Sequence, residues 1–157
     1  VCCFHSWDKF TTFVLILSSK IQQVRMKIEH LGIAVKSLGF SDDLFAKLLG
    51  KENYKHENVE REGVETSFFA VGESKIELLE ATNSESPIAK FIEKKGEGIH
   101  HIAFDVTDIV AEIARLEKEG FVVLNSVPKK GADNKWVAFL HPKSTNGVLI
   151  ELCQEII

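Results

Sequence analysis

Two histidines and two glutamates occupy matching places in two segments of this chain. The sequence IEHLGIAV at 28–35 resembles IHHIAFDV at 99–106, and KIELL at 75–79 resembles LIELC at 149–153. The interval from histidine to glutamate is 47 residues in the first pair and 50 residues in the second. A repeat at a nearly constant offset predicts two structural modules. The paired residues are His30 with Glu77 and His101 with Glu151.

These four side chains are of the types that hold a metal ion. Two neutral imidazoles and two carboxylates suit a divalent ion with octahedral coordination, with positions left for water or substrate. Glu77 lies between Ile76 and Leu78, and Glu151 has equivalent apolar neighbours. A buried carboxylate costs much free energy unless it is paired or bound to a metal. We therefore predict one metal site between the two modules.

Small residues next to the histidines predict open space above them. Alternate side chains of a strand share a face, so Gly32 lies on the face of His30 and Ala103 lies on the face of His101. Small neighbours of this kind favour a cavity over a packed core. The same alternation predicts that the opposite faces carry Glu29 and His100.

The composition excludes several classes of protein. The 157 residues are 45% hydrophobic and 27% charged, which is ordinary for a globular protein. The formal net charge is −4 and no basic patch occurs, so we predict no nucleic-acid partner. The apolar run at 13–17 is too short to span a bilayer, so no membrane partner is predicted. A reducing compartment, the cytoplasm, is favoured because the cysteines make a poor disulfide framework; they are Cys2, Cys3 and Cys153.

The first 25 residues differ from the rest in composition. They contain two adjacent cysteines and the apolar run, whereas Met26 opens directly onto the first predicted strand. We interpret 1–25 as an upstream extension outside the fold, with a targeting or anchoring segment as the alternative. A chain that begins at Met26 is expected to fold and function normally.

The order βαβββ is predicted twice within a single domain at 26–157. Apolar residues that alternate with polar ones predict the strands, and apolar residues at helical spacing predict the helices. In the first module, about 26–81, we predict a helix at 40–49 with Ser41 as N-cap, and strands near 28–35, 53–60, 64–71 and 74–80. In the second module, about 99–154, we predict a helix at 108–119 with Asp108 as N-cap, and strands near 99–106, 121–125, 135–141 and 147–153.

The connector at 82–98 joins the two modules through a short helix. Ser86 followed by Pro87 is typical of a helix start, and Gly96 marks its end. The expected fold class is α+β, with two βαβββ modules paired around a metal site between curved sheets.

Several stretches resemble the vicinal-oxygen-chelate superfamily, which includes glyoxalases, bleomycin-resistance proteins and dioxygenases. Within it, the chain is similar to the methylmalonyl-CoA epimerases over residues 27–154. The most specific stretch is KKGEGIHHIAF at 94–104, followed by HPKSTNGVLIEL at 141–152; KIELLE at 75–80 and SPIAKF at 86–91 add to it. The resemblance assigns the metal-ligand roles to His30, Glu77, His101 and Glu151. Several members have Gln at the position of Glu77.

The resemblance implies epimerisation at C2 of methylmalonyl-CoA. The proton between the thioester and the carboxylate is removed from one face and returned on the other, with a divalent ion stabilising the enolate. The expected cofactor is a divalent ion, one of Co²⁺, Mn²⁺, Ni²⁺, Zn²⁺ or Mg²⁺. Glu151 is the expected acid/base. A second acid is expected where strand pairing places Thr66, and the nearby alternatives are Glu62 and Glu65.

The remaining expectations concern the substrate and the assembly. An acyl-CoA substrate needs cations for its phosphates, and a loop at 131–134 offers backbone N–H groups. The lysines expected to contact CoA are Lys129, Lys130, Lys135 and Lys143. The resemblance also implies a homodimer.

Two other functions share the superfamily fold. A glyoxalase-type lyase can use the same four ligands, but its glutathione substrate requires arginine near the cavity, and this chain has only Arg25, Arg61 and Arg115. A metal-free binding or resistance protein has no need for four ligands on equivalent strands. A ring-cleaving dioxygenase would leave Glu77 unexplained, since it needs one carboxylate only.

Overall fold

The computed structural model describes residues 26–157, so the predicted extension at 1–25 lies outside the described residues. The first module begins with the strand that carries His30. Its elements are β1 (Lys27–Val35), α1 (Leu38–Leu49), β2 (Lys55–Val59), β3 (Val64–Val71) and β4 (Ser74–Ala81). This is the predicted order βαβββ.

The second module repeats this order after a connecting helix, α2 (Pro87–Lys95). Its elements are β5 (Gly98–Asp105), α3 (Ile109–Lys118), β6 (Lys129–Lys130), β7 (Lys135–Leu140) and β8 (Leu149–Glu155). No helix within 26–157 combines the length and the apolar character that a membrane crossing requires.

All eight strands of the described part form one curled sheet with an approximate two-fold pattern. Its strand order is β2-β3-β4-β1-β5-β8-β7-β6. Each histidine strand pairs in parallel with the glutamate strand of its own module, β1 with β4 and β5 with β8. The two histidine strands pair antiparallel with each other at the centre. The predicted fold class is confirmed, and the topology places all four chemical side chains on four consecutive strands.

Three apolar clusters hold the helices against the sheet. Helix α1 packs Leu38 against Phe69 and Leu78, and α3 packs Ile113 with its neighbours against Leu152. Helix α2 packs Ile88 against Ala34, Val64 and Leu79. Because side chains alternate along β4, Leu78 faces α1 while Glu77 faces the interior of the curl.

The helix starts agree with the prediction in two of three cases. Ser86 caps α2 by accepting the N–H of Ile88, and Asp108 caps α3 by accepting the N–H of Ala111. The predicted cap of α1, Ser41, is wrong: the helix begins at Leu38, with Ser37 as its cap. The N–H of Ser41 already bonds the carbonyl of Ser37, which places Ser41 inside the helix.

The strand predicted at 121–125 is also wrong. Only Val123 bridges to Leu140, and Leu124 donates one backbone hydrogen bond to Phe139. The Asn125 side chain then accepts the N–H of Phe139 and thereby replaces the next bond of the ladder. Pairing with β7 resumes only at the short strand β6, which the sequence did not predict.

Candidate metal centre and substrate cavity

The four repeated side chains meet inside the curl of the sheet. The Nε2 atoms of His30 and His101 are 2.8 Å apart. The Nε2 atom of His30 is 3.1 Å from Oε2 of Glu77, and the Nε2 atom of His101 is 3.0 Å from Oε2 of Glu151. The two cross distances, from each histidine to the glutamate of the other module, are both 3.6 Å. All four residues are at most 6% exposed.

This geometry fits a single divalent ion. Neighbouring ligand atoms around an octahedral ion with bonds of about 2.1 Å lie about 3 Å apart, which is close to the observed separations. The donor set of two imidazole nitrogens and two carboxylate oxygens suits the borderline divalent metals. His30, Glu77 and His101 offer ligand atoms that all lie within 4.8 Å of one another. The structure thus brings together the predicted ligand set, and its metal role remains a prediction.

Electrostatic coupling keeps both glutamates ionised. Burial alone would raise their pKa values, but hydrogen bonds and charge interactions with the two histidines lower the pKa of Glu77 and of Glu151. Burial likewise opposes protonation of the histidines, yet the surrounding carboxylates raise the pKa of His30 and of His101 above 6.5. Without a cation, protons on the histidines therefore compensate the carboxylates, and binding of a metal ion there would release them.

A pair of β-bulges shapes the site. Opposite β5, the register of β1 skips Glu29 between Ile28 and His30; opposite β1, the register of β5 skips His100 between Ile99 and His101. Each bulge lies immediately before a histidine. An inserted residue of this kind breaks the strict alternation of side chains. The prediction that Glu29 and His100 face away from the histidines is therefore wrong.

Glu29 supports His30 from behind. Its Oε2 atom is 2.5 Å from Nδ1 of His30, and its Oε1 atom is 2.5 Å from Nζ of Lys75. Nζ of Lys135 is 3.5 Å from the same Oε1. Burial works against the charge, but His30 and Lys75 lower the pKa of Glu29 to about 2. Glu29 is thus a buried anion on the side of His30, which the alternation of an unbroken strand does not predict.

His100 occupies the equivalent place beside His101. The Nδ1 atoms of the two rings are 3.0 Å apart, and the His100 ring packs edge-to-face on Phe91 with centroids 5.0 Å apart. Burial and the charge of His101 lower the pKa of His100 to about 4. A neutral His100 can accept the Nδ1–H of His101. The feature of the sequence that could have indicated this contact is the pair of adjacent histidines at 100 and 101.

The space beside Gly32 is filled by the His101 ring rather than left open. Gly32 pairs with His101 across the centre of the sheet. A Cβ atom at Gly32 would lie 2.2 Å from Cε1 of His101. Residue 32 must therefore lack a side chain for the ring to take this position.

A cavity of about 290 Å³ opens directly beside the four side chains. Glu77, His101 and Glu151 form part of its wall, and most of the remaining wall is apolar. The apolar residues that line it include Val59, Val64, Leu79, Ile88, Leu124, Val137, Phe139 and Leu149. Arg61 and His100 add polar groups to the lining. An apolar cavity with a few convergent polar groups is the usual form of a small-molecule site.

The candidates for a second acid differ in position. Thr66 lines the cavity, as the strand pairing predicted, and its hydroxyl donates to the carbonyl of Glu57. Glu62 also lines the cavity, from the turn before β3, with its side chain 45% exposed. Glu65 is not in the cavity wall; its Oε1 atom is 3.7 Å from Nδ1 of His56.

The four lysines predicted to bind CoA are not equivalent. Lys129, Lys130 and Lys143 are exposed. Lys135 turns inward to Glu155 and Glu29, and its side chain is only 13% exposed.

The loop at 131–134 forms a tight hairpin turn in which two backbone donors are already used. Asp133 and Asn134 both have positive φ, which is typical of two-residue hairpin turns. The N–H of Gly131 bonds Lys135, and the N–H of Asp133 bonds Glu57. These two groups are therefore not free to hold a phosphate, although Gly131 and Ala132 line the cavity.

Asp133 joins the two modules at the open side of the curled sheet. Its carboxylate accepts hydrogen bonds from Nζ of Lys75 at 2.7 Å and from Nζ of Lys55 at 3.1 Å. The hydroxyl of Tyr54 donates a third at 3.2 Å. Burial opposes this charge, but Lys75 and Lys55 lower the pKa of Asp133 from 3.8 to about 2.

Replacing Asp133 by Asn is expected to reduce stability at neutral pH by about 2 kcal/mol and to flatten the response to acid. A carboxyl whose pKa is lowered by folding stabilises the protein above pH 3.8, and this contribution is lost as the pH falls towards 2. Urea unfolding at several pH values should show the difference between wild type and variant shrinking in acid. Asp105→Asn, in the exposed pair with Lys27, is the control and should change little. A difference that stays constant from pH 7 to pH 2 would contradict the assignment.

Comparisons with known proteins agree with this architecture. A model of the glyoxalase/bleomycin resistance protein/dioxygenase superfamily matches residues 29–139. The ethylmalonyl-CoA/methylmalonyl-CoA epimerase of Cereibacter sphaeroides is 42% identical over 130 residues, covering 82% of this chain and 97% of that protein. The mitochondrial methylmalonyl-CoA epimerase of Dictyostelium discoideum is 41% identical over 127 residues, covering 80% of this chain and 76% of that protein.

A solved structure of a methylmalonyl-CoA epimerase in complex with methylmalonyl-CoA and NH₄⁺ is also similar. It superposes with a TM-score of 0.80 at 34% sequence identity, covering 83% of this chain and 94% of that one.

Proposed function

This chain belongs to the glyoxalase/bleomycin resistance protein/dioxygenase superfamily, and we propose that it is an isomerase that interconverts the (R) and (S) epimers of methylmalonyl-CoA. The observation that carries the proposal is the convergence of His30, Glu77, His101 and Glu151 beside an apolar cavity. The identities to curated methylmalonyl-CoA epimerases support the choice of substrate.

The chemistry requires stabilisation of an enolate. Removal of the C2 proton places negative charge on the thioester oxygen, and a divalent ion held by the four side chains would act there as a Lewis acid. The apolar wall excludes water and so strengthens every charge interaction at the reacting carbon. The proposed ion is divalent and is one of Co²⁺, Mn²⁺, Ni²⁺, Zn²⁺ or Mg²⁺.

Glu151 is the proposed acid/base at C2. It is ionised, it lies in the cavity wall, and its Oε2 atom faces both histidines. Its other oxygen, Oε1, accepts a weak hydrogen bond from the Cys153 thiol at 3.3 Å. Burial keeps that thiol neutral by raising its pKa. This contact orients the carboxylate.

Inversion also needs an acid/base on the opposite face of the substrate. The side chain of Thr66 cannot act as a base at neutral pH, and Glu65 is outside the cavity wall, so we propose Glu62 as this second acid/base.

Glu62→Gln is expected to slow deuterium uptake from D₂O for one epimer of methylmalonyl-CoA much more than for the other. Glu65→Gln is the matched control, and it should leave both exchange rates unchanged. Equal slowing of both epimers by Glu62→Gln would remove it from this role.

The finer assignments concern the CoA group and the assembly. We propose that the exposed Lys129, Lys130 and Lys143 contact the CoA phosphates, and that Arg61 adds a cation in the cavity wall. Inward-facing Lys135 has a structural role instead.

We also propose a cytoplasmic homodimer in propionate metabolism. Exposed apolar side chains such as Ile99 and Val110 could be buried at the interface between two subunits. Light scattering would measure the mass of the assembly.

The decisive experiment compares two substrates. The purified, metal-loaded protein should catalyse exchange and inversion at C2 of methylmalonyl-CoA. It should not convert the hemithioacetal of methylglyoxal and glutathione, the substrate of a glyoxalase-type lyase. That comparison is informative because Arg61 lines the cavity and a lyase would need such an arginine. Turnover of the hemithioacetal alone would overturn the proposal.

A further inference from the structure

We propose that Glu29 is a positioning residue that holds His30 in its metal-binding orientation, and that Lys75 and Asp133 in turn hold Glu29. The inference rests on the proposed function, since it assumes that a metal ion binds between the two histidines. It concerns a residue outside the four-ligand set and a cluster of charges that the epimerisation chemistry does not use.

The contact between Glu29 and His30 has the form that favours a metal ligand. With Nδ1–H of His30 donating to the Glu29 carboxylate at 2.5 Å, the lone pair is left on Nε2, the atom that faces Glu77 and His101. A carboxylate behind a ligand histidine fixes the ring and strengthens its donor nitrogen. Glu29 is only 6% exposed, so water does not weaken this contact.

The β-bulge in β1 is the backbone feature that makes this contact possible. In an unbroken strand, consecutive side chains point to opposite faces. The extra residue at Glu29 lets two consecutive residues, a ligand and its support, lie on one side of the sheet. The bulge before His101 has the same effect for His100, which indicates that support of Nδ1 is a shared requirement of both modules.

The charge of Glu29 is balanced by Lys75 of the same module, and Lys75 also pairs with Asp133 of the second module. Nζ of Lys75 lies between the two anions, 2.5 Å from Oε1 of Glu29 and 2.7 Å from Oδ2 of Asp133. Asp133 belongs to the loop before β7, whereas Lys75 belongs to β4. The chain of contacts Asp133–Lys75–Glu29–His30 therefore connects the loop in the cavity wall to the metal centre.

Titration of the metal-free protein with Co²⁺ alone, against a competing chelator, tests this inference without an activity assay. Glu29→Ala should weaken Co²⁺ binding by about 10- to 100-fold, the range for removing a support of a ligand histidine. Glu29→Gln should weaken it less, because its amide oxygen can still accept the Nδ1–H. Asp133→Asn should weaken it least, because it acts only through Lys75.

Proton NMR of the Co²⁺-loaded protein provides a signature that a merely structural role would not produce. Wild type should show two exchangeable, paramagnetically shifted imidazole N–H signals, one for each ligand histidine. In Glu29→Ala one of them should be lost through exchange with water, and in Glu29→Gln it should persist.

Glu112→Ala is the matched control. Glu112 is a buried glutamate, 8% exposed, that pairs with Arg115 on α3. Its replacement should lower stability without changing Co²⁺ affinity or the N–H signals. If wild type binds no Co²⁺, the proposed function fails. If wild type binds it and Glu29→Ala binds it equally tightly with both signals present, only the inference about Glu29 is overturned. If Glu29→Ala does not fold, the Co²⁺ affinity of Glu29→Gln decides: weaker binding than wild type supports the inference, and equally tight binding overturns it.

Discussion

His101→Ala is expected to abolish tight binding of a divalent ion and, with it, epimerisation of methylmalonyl-CoA. His101 contributes one of the two imidazole nitrogens at the centre of the site, and its Nε2 lies within 3.6 Å of His30, Glu77 and Glu151. Without the ring, two buried carboxylates remain beside a single histidine. The loss of metal affinity should exceed the 10- to 100-fold typical of removing only a support of a ligand histidine.

The measurement is the metal content per chain after dialysis, together with the rate of epimerisation. Wild type should retain one ion per chain and His101→Ala should retain none. His56→Ala is the control, because His56 is an exposed histidine that pairs with Asp42 outside the cavity wall. Unchanged metal stoichiometry in His101→Ala would refute the ligand assignment.

Glu151→Gln is expected to lose deuterium exchange at C2 while keeping part of its metal affinity. The amide offers an oxygen that can still bind the ion, but it cannot accept a proton. Removal of a general base typically costs about 10²- to 10⁴-fold in rate. In D₂O, wild type should incorporate solvent deuterium into methylmalonyl-CoA as the epimers interconvert, and the variant should do so at a rate lower by that factor.

The same change in the other module is the natural control for Glu151. Glu77→Gln also converts a buried glutamate of the ligand set to an amide, and it should bind metal and continue to exchange deuterium. An equal loss of the deuterium-exchange rate in both variants would indicate that the charge of the ligand set, rather than a base at Glu151, determines this rate. Wild-type exchange by metal-loaded Glu151→Gln would leave Glu151 a ligand alone.

The repeat in the sequence was sufficient to predict the fold and to bring the four side chains together. Each glutamate lies in a strand that pairs in parallel with the histidine strand of its module, so equal positions in the repeat become neighbours in space. Apolar periodicity also located α3 and the connecting helix. It failed at 121–125, where an asparagine side chain replaces a backbone hydrogen bond, because tertiary context decides whether an apolar run extends the sheet.

The support of the histidines could not be predicted in the same way. Strict alternation placed Glu29 on the wrong face, and nothing in a local apolar pattern marks the position of a bulge. The contact between Lys75 and Asp133 joins residues 58 positions apart in the chain. Such a contact depends on how tightly the sheet curls, which no pattern within one strand encodes. The similarity of the two repeats also did not indicate that the supports differ. The carboxylate of Glu29 supports His30, whereas the imidazole of His100 supports His101.

The glycine beneath the His101 ring means that the two halves of this protein are no longer interchangeable. Gly32 pairs with His101, and the position that pairs with His30 is held by Ala103. A methyl group is thus accommodated under one ring and excluded under the other. Two copies of the first half would place a glycine at both positions. Two copies of the second half would place an alanine where Gly32 lies, and its methyl group would collide with the histidine ring. Exchange of Gly32 for alanine, the residue at the equivalent position of the second module, would therefore displace the His101 ring, although residue 32 takes no part in the chemistry.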